Sequence, residues 1–88
     1  MKASHALVVF AALLVGCSST QHSEVSYDAL PQNVRTAFEE LHPGAQVTEV
    51  ERERYPDGTI HYEFEFVTQD GKELEQEFNE QGEALDEH

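Results

Sequence analysis

Hydrophobic and polar residues alternate strictly between Ile60 and Phe66, and this alternation is the clearest pattern in the chain. A period of two is typical of a half-buried antiparallel strand, whose successive side chains point to opposite sides of a sheet. We expect the rest of the domain to pack against the aromatic side of this strand. The hydrophobic side holds Ile60, Tyr62, Phe64 and Phe66, and the polar side holds His61, Glu63 and Glu65.

A helical pattern precedes the strand, between Leu30 and Gly44. Pro31 suits the first turn of a helix, and Asp28 is a candidate N-cap or first-turn acid. Pro43 and Gly44 are expected to end the helix. With about three turns the helix is too short to be stable alone, so its hydrophobic stripe must dock on the sheet. The stripe consists of Leu30, Val34, Ala37, Phe38 and Leu41.

The sequence before the central strand predicts a hairpin, because Asp57-Gly58 is typical of a tight turn between two strands. A three-residue loop sets Tyr55 opposite Thr59, whereas a two-residue loop slips the pairing by one and exchanges the faces. We favour the three-residue loop because it sets Val50 opposite Phe64 on the hydrophobic side.

Further along, turns at residues 69–72 and 79–82 predict strands at residues 73–79 and 83–86. Val47 and Val50 are three positions apart, which predicts a β-bulge near Thr48 or Glu49. The expected fold class is α+β, with one N-terminal helix packed on one face of a three- to four-stranded antiparallel meander. The expected core is Leu30, Val34, Ala37, Phe38, Leu41, Val47, Val50, Ile60, Tyr62, Phe64, Phe66, Leu74, Phe78 and Leu85.

The N-terminus has the pattern of an export signal. Lys2 is followed by ten hydrophobic residues at positions 6–15, which as a helix cover about 15 Å, roughly half of a bilayer's hydrocarbon core. Residues 14–17, Leu-Val-Gly-Cys, then resemble the bacterial lipobox. The resemblance implies removal of residues 1–16 and a mature chain that begins at diacylated Cys17; secretion with a free thiol is the alternative. Ser18 is not the Asp that retains such proteins at the inner membrane, which favours the periplasmic face of the outer membrane and leaves a Gram-positive host open.

After Cys17 the chain is polar up to residue 26, with Val25 as its single large hydrophobic residue. We expect residues 17–27 to comprise the lipidated cysteine and a flexible tether of up to about 30 Å. In the alternative, Val25 and Tyr27 lie against the edge of the domain. Residues 28–88 are expected to form a single domain.

The charge is strongly negative, with 18 acidic residues, 5 Lys and Arg, and a net charge of −13. This balance argues against nucleic acid as a partner, because phosphate binding depends on Lys and Arg. It also disfavours docking on anionic lipid headgroups. Cationic proteins and divalent ions stay open as partners, as does a homodimer. Acidity that keeps a small exported domain soluble is the simplest explanation.

The acids also gather on the polar side of the expected sheet, where like charges opposite each other are destabilising. One interpretation is a docking surface for a basic protein, and another is a loose divalent-cation site built from carboxylate oxygens. The alternative is a solvated face whose charge is softened by Arg52, Arg54 and Lys72. The candidate binding residues are His61, Glu63, Glu65, Glu73, Glu75 and Glu77, with Glu49, Glu51 and Glu53 alongside.

No residue set has a catalytic pattern, so we predict a protein that is not an enzyme and needs no cofactor. His61 and Glu63 offer two metal ligands, but no cysteine or second histidine lies at zinc spacing, and no metal site is predicted. Asp57-Gly58 and Asp70-Gly71 lack the ladder of acids that a calcium loop requires, and are expected to be hairpin turns.

Taken together, these motifs resemble the PepSY-like family, which is related in fold to beta-lactamase-inhibitor proteins. The resemblance extends from Leu30 to Asp86 and covers one helix-and-sheet unit, whereas family members often have tandem units. It implies an exported protein with a binding or inhibitory role and no catalytic residues. We therefore expect an envelope lipoprotein that binds or inhibits a protein through its acidic face; the alternative is a divalent-cation-responsive structural protein. The motifs are Leu30-Pro31-x-x-Val34-x-x-Ala37-Phe38, His42-Pro43-Gly44-Ala45, Tyr62-Glu63-Phe64-Glu65-Phe66 and Phe78-Asn79-x-x-Gly82.

Overall fold

The computed structural model describes residues 19–87, which fold as one helix against an antiparallel sheet. Strands β1 to β5 lie in the sheet in chain order, and each is antiparallel to its neighbours. The α+β class is confirmed, but the sheet has five strands where three or four were expected. The elements are β1 (Gln21–Glu24), a 3-10 helix (Tyr27–Ala29), α1 (Gln32–Leu41), β2 (Gln46–Arg54), β3 (Ile60–Val67), β4 (Glu73–Asn79) and β5 (Ala84–Glu87).

Strand β1 is the additional strand, and it occupies part of the segment that the sequence predicted to be a flexible tether. All four of its residues are exposed, so it carries no hydrophobic alternation that could have revealed it. Its backbone pairs with β2, and the Val25 N–H donates to the Val50 carbonyl at 3.0 Å. Val25 and Tyr27 pack against the core, as in the alternative interpretation of this segment.

Helix α1 begins at Gln32, so Leu30 and Pro31, which were expected within the helix, precede it. Pro31 takes the N-cap position with an extended backbone, and its carbonyl accepts from the N–H groups of Val34 and Arg35 at 3.1 Å. Asp28 belongs to the preceding 3-10 helix and is therefore not the N-cap of α1. After the helix, Gly44 has a φ of +78°, a conformation that favours glycine and turns the chain towards β2.

The three hairpins share one kind of loop, with three residues and a glycine of positive φ at its end. In the first, Tyr55 N–H donates to the Thr59 carbonyl at 2.8 Å, and the same bond recurs between residues 68 and 72 and between residues 79 and 83. This confirms the three-residue loop and places Val50 opposite Phe64. The register between β2 and β3 shifts between Val47 and Glu49, which confirms the predicted bulge.

The core lies between α1 and one side of the sheet. The Phe38 ring stacks on Phe64 at a centroid distance of 4.5 Å and meets Phe66 and Phe78 edge-on at 5.1 and 6.3 Å. Val34 is fully buried beside them. The buried hydrophobic residues are Leu30, Val34, Phe38, Val50, Tyr62, Phe64, Phe66 and Phe78, with Ala37, Val47, Ile60 and Leu74 partly buried around them.

Two residues of the expected core are exposed. Leu41 is 49% exposed because it is the last residue of α1 and lies beside the loop between β3 and β4 rather than over the sheet. Leu85 is 40% exposed because Ala84 pairs with Phe78, so that the next residue along β5 points to the other side of the sheet. The polar Gln76 occupies the core side of β4 instead and is buried.

Candidate acidic binding face

The side of the sheet opposite α1 is a continuous array of carboxylates, which we call the acidic face. Glu63 lies between Glu51 and Glu77 in one cross-strand row, and a second row of glutamates runs beside it. Strand β1 extends the array by two residues. In the described chain the acidic face comprises Glu24, Glu49, Glu51, Glu53, Glu63, Glu65, Glu73, Glu75 and Glu77, together with His22 and His61.

The six residues that the sequence singled out for binding all lie on this face. Glu63 is directly opposite Glu77 and Glu65 is opposite Glu75, whereas Glu73 is exposed opposite Val67. The other five are partly buried. The structure thus brings His61, Glu63, Glu65, Glu73, Glu75 and Glu77 together, while their role in binding stays a prediction.

None of the Lys and Arg residues within residues 19–87 interrupts the array. Arg52 pairs with Tyr62, and Arg54 with Ile60, so both belong to the side of the sheet that carries α1. Arg35 belongs to α1 itself. Lys72 lies in a turn, with its Nζ 3.9 Å from Asp70 Oδ2. The proposed softening of the face by Arg52, Arg54 and Lys72 is therefore wrong.

The crowding of carboxylates changes their protonation. Burial, followed by a hydrogen bond with Glu53 and repulsion from it, raises the pKa of Glu77 to about 7. Burial and then repulsion from Glu75 raise the pKa of Glu63. Repulsion from Glu65, more than burial, raises the pKa of Glu49. Near neutral pH the charged carboxylates of the face therefore repel one another. This repulsion lowers the stability of the folded domain.

Glu53 is the most enclosed acid of the array, with 8% of its side chain exposed. The Tyr55 hydroxyl donates to Glu53 Oε1 at 3.1 Å, and burial together with this bond raises the pKa of Tyr55 to about 12. The Tyr55 ring packs on His61 with a centroid distance of 4.8 Å. A buried acid requires partners of this kind because its desolvation is unfavourable.

Both histidines of the face lie against glutamates. His22 Nδ1 is 3.5 Å from Glu51 Oε1 and 3.7 Å from Glu53 Oε2, and His61 Nδ1 is 3.8 Å from Glu77 Oε1. Two groups therefore present three metal-ligating atoms within 4.8 Å of one another: His22, Glu51 and Glu53, and Glu53, His61 and Glu77.

Sequence spacing could not have found these groups. His22 reaches the acidic face through β1, which has no hydrophobic pattern, and it meets Glu53 from 31 positions away in the chain. The alternation of Glu49, Glu51 and Glu53 placed the three acids on one face but gave no sign that Glu53 alone is buried.

On the other side of the molecule, a shallow groove of about 380 Å³ lies between the end of α1 and the start of β2. His42 lines it, packs against Phe66 at 4.5 Å, and places its Nε2 3.2 Å from Gln76 Oε1. At the other edge of the groove, the Tyr27 hydroxyl donates to Glu39. The contacts of His42 tie the end of α1 to the sheet, and the Tyr27–Glu39 bond ties the 3-10 helix to α1.

The predicted lipidation site, Cys17, and the signal at residues 1–16 lie outside the described residues. Within residues 19–87 no helix has both the length and the hydrophobicity needed to cross a membrane.

Comparison with known families matches residues 17–86 to the family described as "Putative beta-lactamase-inhibitor-like, PepSY-like". No curated protein and no solved structure matches the chain. The match covers most of the 88 residues and includes α1 and four of the five strands in full. The chain therefore belongs to the PepSY-like family.

Proposed function

We propose that this protein is a non-enzymatic lipoprotein of the bacterial envelope that binds, and thereby inhibits, a basic protein through its acidic face. The family description supports an inhibitor-like role. The observation that carries the choice of surface is the array of nine glutamates across β1 to β4, with Glu63 opposite both Glu51 and Glu77. Within the described chain α1 lies on the other side, so the array is open to a partner.

A cationic partner would stabilise the acidic face more than it would stabilise an ordinary surface. Carboxylates with raised pKa values are destabilised in their charged form, and nearby Lys and Arg side chains relieve that repulsion. An array of one sign also steers an oppositely charged protein towards it and raises the rate of association. Binding should therefore weaken steeply as salt is added.

The anchor would hold this face near the membrane. If Cys17 is lipidated, only residues 18–20 separate it from β1, because β1 begins at Gln21. Four residue steps span at most about 14 Å, less than half of the tether that the sequence suggested. The partner would accordingly be a protein of the same membrane surface, and by the lipobox resemblance that surface is the periplasmic face of the outer membrane.

A differential pull-down tests this proposal. The acylated protein captures partners from envelope extract in parallel with two triple variants of equal charge change. One carries Glu63→Lys, Glu65→Lys and Glu75→Lys on the acidic face. The other carries Asp28→Lys, Glu40→Lys and Glu80→Lys at exposed positions elsewhere.

We expect a partner of basic character that the wild type and the control variant both retain and the face variant loses. Retention of every captured protein by the face variant would contradict the choice of surface. Loss by both variants equally would show that net charge, rather than this face, governs binding.

A divalent-cation-responsive structural role is the second candidate, favoured by the directly opposed pairs Glu63–Glu77 and Glu65–Glu75. Calcium or magnesium bound by carboxylate oxygens would relieve the same repulsion. Thermal unfolding with and without millimolar calcium tests it. A rise in Tm no larger than that produced by matched ionic strength removes this candidate.

A further inference from the structure

We propose that Glu53, His61 and Glu77 form a binding site for one divalent transition-metal ion of the zinc class. The three residues come from three adjacent strands, β2, β3 and β4, and Glu53 is directly opposite His61. Their ligating atoms lie within 4.8 Å of one another. Because the strands are paired along their length, the backbone positions of all three ligands are fixed before any ion binds.

The nitrogen of His61 is the observation that points to a ligand. Its Nδ1 atom is buried and has no hydrogen-bond partner among the described residues. Glu77 Oε1 lies 3.8 Å from it, beyond hydrogen-bond distance. Zinc bonds of 2.0–2.1 Å in a tetrahedron imply ligand atoms about 3.4 Å apart, so a small inward movement would bring both atoms onto one ion.

Charge favours a cation at the same point. Glu53 is 8% exposed and Glu77 is 20% exposed, and their carboxyl oxygens lie within 4.8 Å of each other and of His61. The Arg and Lys residues of the described chain belong to other surfaces, so none of them neutralises this pair. Two enclosed carboxyl groups and an unpartnered imidazole nitrogen are together a better environment for a divalent ion than for water.

The donor set selects the class of metal. One imidazole nitrogen and two carboxylate oxygens suit zinc and its neighbours, whereas calcium takes six to eight oxygens and magnesium retains most of its water. Three protein ligands leave a fourth position for water or for a side chain of a partner. Tyr55 supports the site from outside, since its hydroxyl holds Glu53 Oε1.

The second group, which contains His22, is a weaker candidate and serves as the control. His22 is 53% exposed on the edge strand β1, and it is 3.5 Å from Glu51, within reach of an ion pair. It also shares Glu53 with the proposed site. Substitution of His22 therefore changes an exposed histidine of the same face without removing any proposed ligand.

Competitive titration of the full chain in detergent tests the site, with zinc chloride as the probe and with cobalt(II) absorption reporting coordination geometry. We expect one equivalent of zinc, a tetrahedral cobalt spectrum, and no competition from an equal concentration of calcium. His61→Gln and Glu77→Gln should each weaken zinc binding by at least about tenfold, and Tyr55→Phe by about tenfold because Glu53 loses the hydroxyl that orients it. His22→Gln should change the affinity by less than about threefold.

The proposal is overturned if the wild type binds no zinc, if His61→Gln binds as tightly as the wild type, or if His22→Gln loses as much affinity as His61→Gln. Thermal unfolding of each variant without metal verifies that the variant is folded. If His61→Gln does not fold, the zinc affinity of Glu77→Gln decides the test in its place. The titration uses no protein partner, so it can fail while the pull-down succeeds, and the reverse.

Discussion

The two sides of the sheet are built from the same strands but differ in what they do to the stability of the domain. On the helix side, three phenylalanine rings pack within 6.3 Å of the Phe38 ring, and all four are buried from water. On the other side, glutamates stand directly opposite glutamates and raise one another's pKa values. The first side stabilises the fold, and the second destabilises it.

The difference shows what alternation does in a small domain. Each strand that places Phe64 or Phe78 in the core must point its intervening residues outwards, and in β2, β3 and β4 those residues are mostly glutamates. Threonine at the same positions would have suited the strands better and would have avoided the repulsion. The glutamates of the acidic face are therefore not required by the fold, and this supports the proposal that the face binds a partner.

The largest expected loss of stability comes from a substitution on the hydrophobic side of the sheet. Phe38→Ala should destabilise the domain by about 3–5 kcal/mol, because it removes the ring on which three others pack. Leu41→Ala, on the same helix but 49% exposed, should cost less than about 1 kcal/mol. Chemical denaturation of both variants measures the difference. Equal losses would mean that α1 docks through another surface.

Repulsion on the acidic side should make the stability of the domain depend on pH. Glu77, Glu63 and Glu49 have folded-state pKa values above the ordinary 4.5, so the unfolded chain releases these protons first as the pH rises. The contribution of Glu77 is complete below about pH 4.5 and is lost as the pH rises through about 7, and the contributions of Glu63 and Glu49 fall in the same direction. Asp57 and Asp70 have lowered pKa values and act in the opposite sense, losing stability only below their ordinary 3.8.

We therefore expect the free energy of unfolding to be greatest near pH 4.5 and to fall between pH 5 and 7.5 in a metal-free buffer. Urea denaturation across this range measures the trend. A free energy of unfolding that rises over the same interval would contradict this expectation. It would show that the fold stabilises the charged form of these carboxylates.

Glu77→Gln should reduce that pH dependence by removing its largest single source. Because a fifth of the Glu77 side chain is exposed and solvent screens the repulsion, the gain at pH 7.5 should be about 1 kcal/mol. At pH 4.5 the variant and the wild type should be equally stable. Glu40→Gln, on the exposed side of α1, is the control and should leave the profile unchanged.

The smallest expected effect is local to one cross-strand pair. Glu65→Lys replaces a repulsion from Glu49 and Glu75 by two attractions and should stabilise the domain by about 0.2–1 kcal/mol at low salt. The gain should vanish at molar salt, because the charges are partly exposed. A matched Glu80→Lys variant, in a turn, should show no salt-dependent gain. Thermal unfolding at two salt concentrations separates these outcomes.

Most of the fold was predictable because turns, residue spacing and alternation are visible over short stretches of the sequence. The register of β2 and β3 followed from the turn at residues 56–58 and from the need to keep Val50 with Phe64, and the bulge followed from the spacing of Val47 and Val50. The six predicted acidic-face residues followed from alternation alone.

The failures arose where the structure depends on distant partners. Strand β1 is held by backbone pairing with β2, and hydrogen bonds of this kind leave no pattern in side chains. The burial of Glu53 depends on the side chains of His22 and Tyr55 beside it, and the exposure of Leu85 depends on the pairing of Ala84 with Phe78. Motif spacing could not have predicted the contact between His22 and Glu53, because the two residues are far apart in the chain.

One side of the sheet holds the core of the domain, and we propose that the other side binds a partner. The most direct measurement follows stability and partner retention together in the variant with Glu63→Lys, Glu65→Lys and Glu75→Lys. We predict that this variant loses the basic partner. We also predict that it is more stable than the wild type at pH 7.5, because the changes at positions 63 and 65 turn the repulsion from Glu51, Glu77 and Glu49 into attraction and leave only the opposed positions 65 and 75 with like charges. A variant that gains stability and still retains every partner would contradict the proposal.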